Sequence, residues 1–329
     1  MMKPKISVII TAHNRKDYLV ECIKSTLDQS LSRELYEIIV VKNFDDSYID
    51  DFIDKNNIMR IKTNHEAIGE KFVLGAERSS GDVLSILNDD DLFYKNKLEL
   101  VLNLFNKYDD LLYYHNSFVK IGEHGEIKDD NVVLEEFIIE TRSVDKKVIK
   151  KALSGFNTFN DSCISIKRKV IMEYKELLVN INANQDTILF LLTFRVGGLL
   201  MGSNNKLTYY RTHSSTSNFT SDEHEQNIEK FNSLVNRRLE SYRYILPLFD
   251  DRNILYKYVE CNYKSNILQS LIFKDTKKIE VLHETLKFMK CPLEASFKTR
   301  SYLMIILLLK IVNKNIVYRY ISKYIFKYY

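Results

Sequence analysis

Three consecutive carboxylates, Asp89-Asp90-Asp91, follow Asn88 directly after the mostly apolar run Asp82-Val83-Leu84-Ser85-Ile86-Leu87. Adjacent like charges at the mouth of a buried strand repel one another unless a cation lies among them. A hard divalent ion bound through oxygen, itself holding a substrate phosphate, is one solution. A solvated acidic turn that also caps the next helix is the other. A further carboxylate, Asp186, falls in the first turn of a predicted helix that has Asn184 at its N-cap and Gly197-Gly198 at its end. A carboxylate there either accepts a proton from a hydroxyl nucleophile or simply complements the helix dipole.

The elements that must position these groups alternate. Ile6–Ile10 reads as a buried strand ending in Thr11-Ala12-His13-Asn14-Arg15, and the helix after it carries an apolar stripe of Tyr18, Leu19, Cys22, Ile23 and Leu27. A second strand over 37–41 leads into Lys42-Asn43-Phe44-Asp45-Asp46. A short helix, a third strand near 58–61, a helix within 64–80 and the strand before the acidic triplet follow. Strand–helix alternation predicts an α/β fold with a doubly wound, mostly parallel, Rossmann-like sheet. In such a sheet ligands bind at the carboxyl ends of the strands, so the loops 11–15, 42–46 and 88–91 should share one crevice. Beyond Lys97 the pattern predicts strands over 111–121 and 162–167, a helix over 168–178 and an edge strand over 206–213. The segment 126–144 shows no clear period. From Asp222 onward the pattern is helical only, with Phe231, Leu234, Val235, Leu239 and Tyr242 on one face. The domains expected are a catalytic unit over 1–217 and an all-helical extension over 218–329.

Composition excludes several classes. With 329 residues, 45% hydrophobic and 28% charged, the chain matches an ordinary globular protein with ample material for a core. A net charge of +4, with no basic-aromatic nucleic-acid motif, predicts no nucleic-acid partner. Cys22, Cys163, Cys261 and Cys291 are widely spaced, which suggests reduced thiols and a cytoplasmic setting. No signal peptide is expected ahead of the first strand.

Taken together, four stretches resemble family 2 glycosyltransferases of the GT-A fold over residues 4–217. They are SVIITAHNRKDYLVECIKSTLDQSL with YEIIVV, then GAERSSGDVLSILNDDDLFYKNKLE, then QDTILFLLTFRVGG, and last YYRTHSSTS. The resemblance implies transfer of a sugar from a nucleotide-diphosphate sugar to an acceptor hydroxyl of a glycan or lipid-linked glycan, assisted by Mn²⁺ or Mg²⁺. It places the family's acidic motif on Asn88, Asp89, Asp90 and Asp91. Asp90 then takes the metal-ligand position, and an alternative register gives that place to Asp91. Asn88, where the family has Asp, retains the capacity to bond a ribose hydroxyl. Asp186 becomes the general base, and a single base carboxylate implies inversion at the anomeric carbon. Thr11, Ala12, Asn14 and Arg15 are expected along the nucleotide, with loop-closing bonds the alternative for Asn14. Lys71 is expected at a phosphate, with an exposed helix lysine as the alternative. Arg211 and His213 are expected at the diphosphate, His213 also as a metal ligand or else a surface residue. After the second strand the chain departs from the family's acidic pair. Lys42-Asn43-Phe44 stands there instead, so Asn43 and Asp45 become the base contacts and the nucleotide is left open.

Tyr302–Leu309 is the most apolar run and falls well short of the ~30 Å hydrocarbon core of a bilayer. After it, Ile316, Val317, Tyr320, Ile321, Tyr324, Ile325 and Tyr328 share a helical face, with Arg319, Lys323 and Lys327 mostly off it. A basic, tyrosine-rich amphipathic helix of this kind suits the inner face of a membrane or packs on protein. Two rival functions remain at this level. A non-catalytic nucleotide-sugar-binding protein is suggested by the altered second loop. A sugar-phosphate nucleotidyltransferase is disfavoured because 11–15 contains no glycine.

Overall fold

The computed structural model describes residues 5–142, 146–154, 157–213, 224–249, 254–272 and 277–289. It divides into two compact units, Met1–Thr212 and His213–Tyr329. The domain boundary expected at 217, the apolar run 302–309 and the basic stretch after it lie outside the described residues.

The second unit contains α-helices at His224–Ile245, Ile254–Leu271 and Lys278–Met289. The middle helix packs on both others. Phe231, Val235, Tyr242, Val259, Leu268, Val281 and Phe288 are buried. Among the described residues no helix is long and apolar enough to cross a membrane.

The first unit is built on one mixed sheet. In chain order its first elements are β1 (Ile6–Ala12), α1 (Leu19–Leu27), β2 (Tyr36–Lys42), α2 (Ser47–Lys55), β3 (Met59–Lys62), α3 (Ile68–Arg78) and β4 (Val83–Asn88). Then come β5 (Leu92–Phe93), α4 (Lys97–Lys107), β6 (Leu111–Ile121), β7 (Ile127–Asp129), β8 (Phe137–Glu140) and α5 (Lys146–Ala152). The unit closes with β9 (Ile164–Lys167), α6 (Arg168–Glu173), α7 (Lys175–Leu178), α8 (Gln185–Val196) and β10 (Leu199–Arg211). The strand order is β3-β2-β1-β4-β9-β6-β10-β5, with β7 on β6 and β8 on β10.

Every residue of β1 is buried, which is what its unbroken Ile/Val run requires of a strand covered on both faces. β1 to β4 run parallel. β9 is antiparallel to both β4 and β6, and β10 is again parallel to β6. The carboxyl ends of β1, β2, β4, β6 and β10 therefore share one edge with the amino end of β9, and the acidic triplet lies on that edge.

Three local expectations change. β10 is not an edge strand beginning at 206: it starts at Leu199 and pairs with β6 on one side and with β8 and β5 on the other. Register shifts between Gly202 and Thr208 interrupt its pairing with β6, which hides the strand period in the sequence. The segment 126–144 contributes the short strands β7 and β8, too brief for a period to register. The helix expected over 168–178 breaks at Tyr174 into α6 and α7. At the other end of the run, Asn184 holds the N-cap position of α8 in a left-handed conformation without a side-chain cap bond.

β4 enters the sheet through Gly81, whose N–H donates to the Ser7 hydroxyl at 2.9 Å. A Cβ at that position would lie 2.6 Å from Ser7 Oγ and 2.7 Å from the Ile6 carbonyl carbon, and backbone cannot rotate away as a side chain can. Gly81→Ala is expected to destabilise the unit by about 1–3 kcal/mol through overpacking. A lower denaturant midpoint with an unchanged slope would register it; an unchanged midpoint would mean the entry of β4 is looser than its geometry.

Candidate active site

The three carboxylates meet three different fates. Asp89, with a side chain 4% exposed, pairs with the Arg15 guanidinium and accepts the His13 backbone N–H at 3.2 Å. Asp91 is 1% exposed and accepts the Arg211 backbone N–H on one oxygen at 2.8 Å and the Asn160 amide on the other at 2.9 Å. Asp90 retains 16% side-chain exposure and pairs with Arg15 at 2.7 Å. Burial pushes the Asp89 and Asp91 carboxyls above the ordinary carboxylate range, and the Asp90 charge adds to both shifts. Arg15, by contrast, has its charged form favoured. Burial disfavours its charge, but Asp89 and then Asp90 more than offset this and its pKa rises.

Asn160 connects this cluster to Asp186. Because β9 is reversed, the residues before it arrive at the same edge as the triplet. Asn160 adopts φ 74°, a conformation Asn tolerates better than most residues. From there its backbone N–H donates to Asp186 Oδ2 at 3.0 Å while its side-chain amide donates to Asp91. Its amide oxygen accepts the Ser162 N–H at 2.9 Å and the Asn88 amide at 3.3 Å. Asp186 is partly exposed at the start of α8. The neighbouring Asp161 is 3% exposed and accepts from Gln185 Nε2 at 2.7 Å. Burial, followed by the Asp186 charge, drives the Asp161 carboxyl well above its ordinary range. Asn160 and Asp161 were not anticipated from sequence. The available signal was the turn-forming run Asn-Asp-Ser just ahead of an apolar strand.

The residues expected along the nucleotide are partly brought together. Thr11 Oγ1 and Asn88 Oδ1 are 3.5 Å apart across β1 and β4, and the Ala12 side chain is buried. Asn14 and Asn43 bond reciprocally: the Asn14 N–H donates to Asn43 Oδ1 and Asn43 Nδ2 donates to Asn14 Oδ1, both at 2.8 Å. Lys71 is not the exposed helix lysine of the alternative reading. It is 1% exposed, with Nζ 2.9 Å from His13 Nδ1, and burial lowers its pKa to about 8. Lys42 turns inward to Asp50 at 2.8 Å.

The geometry assigns other tasks to three expected contacts. Asp45, 68% exposed, pairs outward with Lys62. The Arg211 side chain is 1% exposed. It donates to the carbonyls of Asp90 and Glu123 and to the Glu21 carboxylate at 2.7–2.8 Å, and stacks over Tyr18. It is a clamp on the loops, with its donors already engaged. Asp91 likewise has a protein donor on each of its oxygens. His213 is the first residue of the second unit and is partly buried.

Among the described residues no three His, Cys, Asp or Glu side chains converge as a metal cage. Mg²⁺ and similar hard ions are commonly held by one or two carboxylates together with substrate phosphates. Asp90, the least enclosed of the three carboxylates, fits that donor set.

Residues 7–174 match the family described as Glycosyl transferase family 2, just over half of the chain. An uncharacterized glycosyltransferase of Rickettsia bellii is 34% identical over 126 residues, covering 37% of this chain and 18% of that protein. Another from Rickettsia conorii is 36% identical over 128 residues, covering 37% and 20%. The chain thus spans only about a fifth of the length of these relatives. The fold is similar to that of S. aureus TarS 1-349, solved in complex with UDP-GlcNAc, with a TM-score of 0.55 at 13% identity, covering 96% of this chain and 90% of that one. A longer TarS structure gives 0.56 at 13% identity, covering 96% and 55%. With the GT-A architecture and the strand-end acidic cluster in place, the chain belongs to glycosyl transferase family 2.

Proposed function

We propose that the chain transfers a sugar from a nucleoside-diphosphate sugar to an acceptor hydroxyl with inversion, in a reaction dependent on Mg²⁺ or Mn²⁺. The observation that carries this reading is the Asn160 bridge, which ties the partly exposed Asp186 to the acidic cluster through two bonds from one residue. Donor-side and acceptor-side chemistry then adjoin on one edge of the sheet. A dication at Asp90 would neutralise charge growing on the leaving diphosphate. Lys71 supplies positive charge to the same phosphates from the wall formed by α3. Asp186 takes the acceptor's proton as the hydroxyl attacks the anomeric carbon. The enclosure of Asp161 supports inversion, since the other nearby carboxyl is held by Gln185 and too buried to act as a covalent nucleophile.

The Asn14–Asn43 amide pair, with Asn88, takes the place of the family's acidic base contacts. A base read by amides fits several nucleotides, so UDP-GlcNAc, seen with TarS, is one donor to test among common nucleotide sugars. The basic, tyrosine-rich stretch 313–329 supports an acceptor carried on a glycan or lipid-linked glycan at a membrane surface.

Asp186→Asn keeps size but cannot accept a proton. The transfer rate is expected to fall by about 10²–10⁴, with nucleoside-diphosphate affinity unchanged. Asp90→Asn is expected to abolish the metal dependence of that affinity. Calorimetry and product release on the same preparations separate the two effects. Wild-type transfer by Asp186→Asn would remove Asp186 from the mechanism.

A pH dependence follows from Lys71. The protonated amine attracts a diphosphate and the neutral one does not, so affinity should be full below about 8 and weaken as pH rises through that value. Lys71→Met is expected to bind more weakly at neutral pH and to lack this limb. Titration of UDP or GDP with Mn²⁺ from about pH 7 to about pH 9 reads it; an identical limb in the variant would assign it elsewhere.

A further inference from the structure

Arg15 already occupies the electrostatic role that a dication would take at the triplet. Its guanidinium pairs with both Asp89 and Asp90, while the other nearby arginine, Arg211, has its guanidinium committed to loop carbonyls and Glu21. The two arginines differ in enclosure. The Arg211 side chain is 1% exposed and that of Arg15 is 28% exposed. Arg15 also belongs to the loop after β1, next to Asn14 in a left-handed conformation at φ 55°, and not to a strand. A dication on Asp90 would face the Arg15 charge on the same carboxylate, and like charges a few ångströms apart repel. A diphosphate offers that guanidinium a better-matched partner, since arginine binds phosphate through two parallel N–H···O bonds.

We propose that Arg15 is the resident counter-cation of Asp89 and Asp90, and that it makes metal binding at Asp90 contingent on the donor diphosphate, which draws the guanidinium off that carboxylate. The inference rests on the metal-dependent reading given above. It sets an order that the reading alone does not: metal alone binds weakly, the diphosphate strengthens it, and by linkage the metal strengthens diphosphate binding by the same factor. Asp89, enclosed and also bonded by the His13 N–H, keeps its place while Asp90 changes partner.

Arg15→Gln removes the charge and keeps an amide donor. Mn²⁺ binding is measured by electron paramagnetic resonance on the full chain, with and without UDP and GDP. The wild type should bind Mn²⁺ weakly alone and about 5–150-fold more tightly with the diphosphate it accepts, the usual span of coupling between sites. Arg15→Gln should bind Mn²⁺ alone at least about tenfold more tightly than the wild type and lose most of the coupling. Its thermal midpoint should fall without metal, because the carboxylates lose their cation, and recover with Mn²⁺ alone. A variant that binds Mn²⁺ no more tightly than the wild type and keeps full coupling overturns the role of Arg15. A wild type whose diphosphate binding ignores Mn²⁺ overturns the metal-dependent reading itself, and the two failures are read in separate samples. If Arg15→Gln does not fold, Arg15→Lys, which keeps the charge without the two-pronged geometry, should lie between the two; wild-type behaviour from it would place the effect in charge alone and refute the exchange of paired bonds.

Discussion

Mutual repulsion among Asp89, Asp90 and Asp91 is the constraint around which the first unit is arranged. Two unit charges about 4 Å apart interact by about 4 kcal/mol even at an effective dielectric of 20, a large share of the 5–15 kcal/mol that typically holds a domain together. The fold answers with three separate devices. Arg15 and a backbone N–H meet Asp89. A second N–H, from β10, and an amide from the segment before β9 meet Asp91. Asp90 is the most exposed of the three and pairs with the same Arg15.

The reversed strand β9 makes the second device possible. In a purely parallel sheet, the residues ahead of a strand would emerge at the edge opposite the ligand crevice. Inserted antiparallel between β4 and β6, β9 delivers Asn160 to the working edge instead. Its positive φ aims the backbone N–H at Asp186 and the amide at Asp91. The fixed dipoles of the protein backbone, already oriented, thus do part of the work of holding both carboxylates.

What was legible in the sequence was whatever repeats along the chain or breaks a repeat. The Ile/Val runs of β1, β2 and β4 and the abrupt polar ends are such features, and they place those strand ends on one edge of the sheet. Asn160 was illegible because its role comes from one backbone angle and from residues 69 and 26 positions away. Arg211 was visible as a cation past a strand, but its direction is set by Glu21, 190 residues earlier. Lys71 shares a helix with the buried Phe72, Val73 and Ala76; only the close approach of His13 shows why an amine lies on that buried side. β8 and the first half of β10 escaped because short pairing and register shifts erase the period-two pattern on which strand recognition depends.

The bond from the Arg211 N–H to Asp91 spans 120 residues, and that distance gives the site a chronology. During synthesis β1 to β4 emerge first, with Asp91 close behind, yet the Asn160 and Arg211 donors to its carboxylate come from segments made much later. Closing so long a loop is entropically unfavourable until the partners are present, and folds dominated by such remote contacts form slowly. The nascent first half therefore carries Asp91 without these donors, and the acidic cluster is completed only when the last strand of the unit docks. Assembly of the sheet and maturation of the acidic cluster are one event, so a partly synthesised chain exposes strands without exposing a finished site.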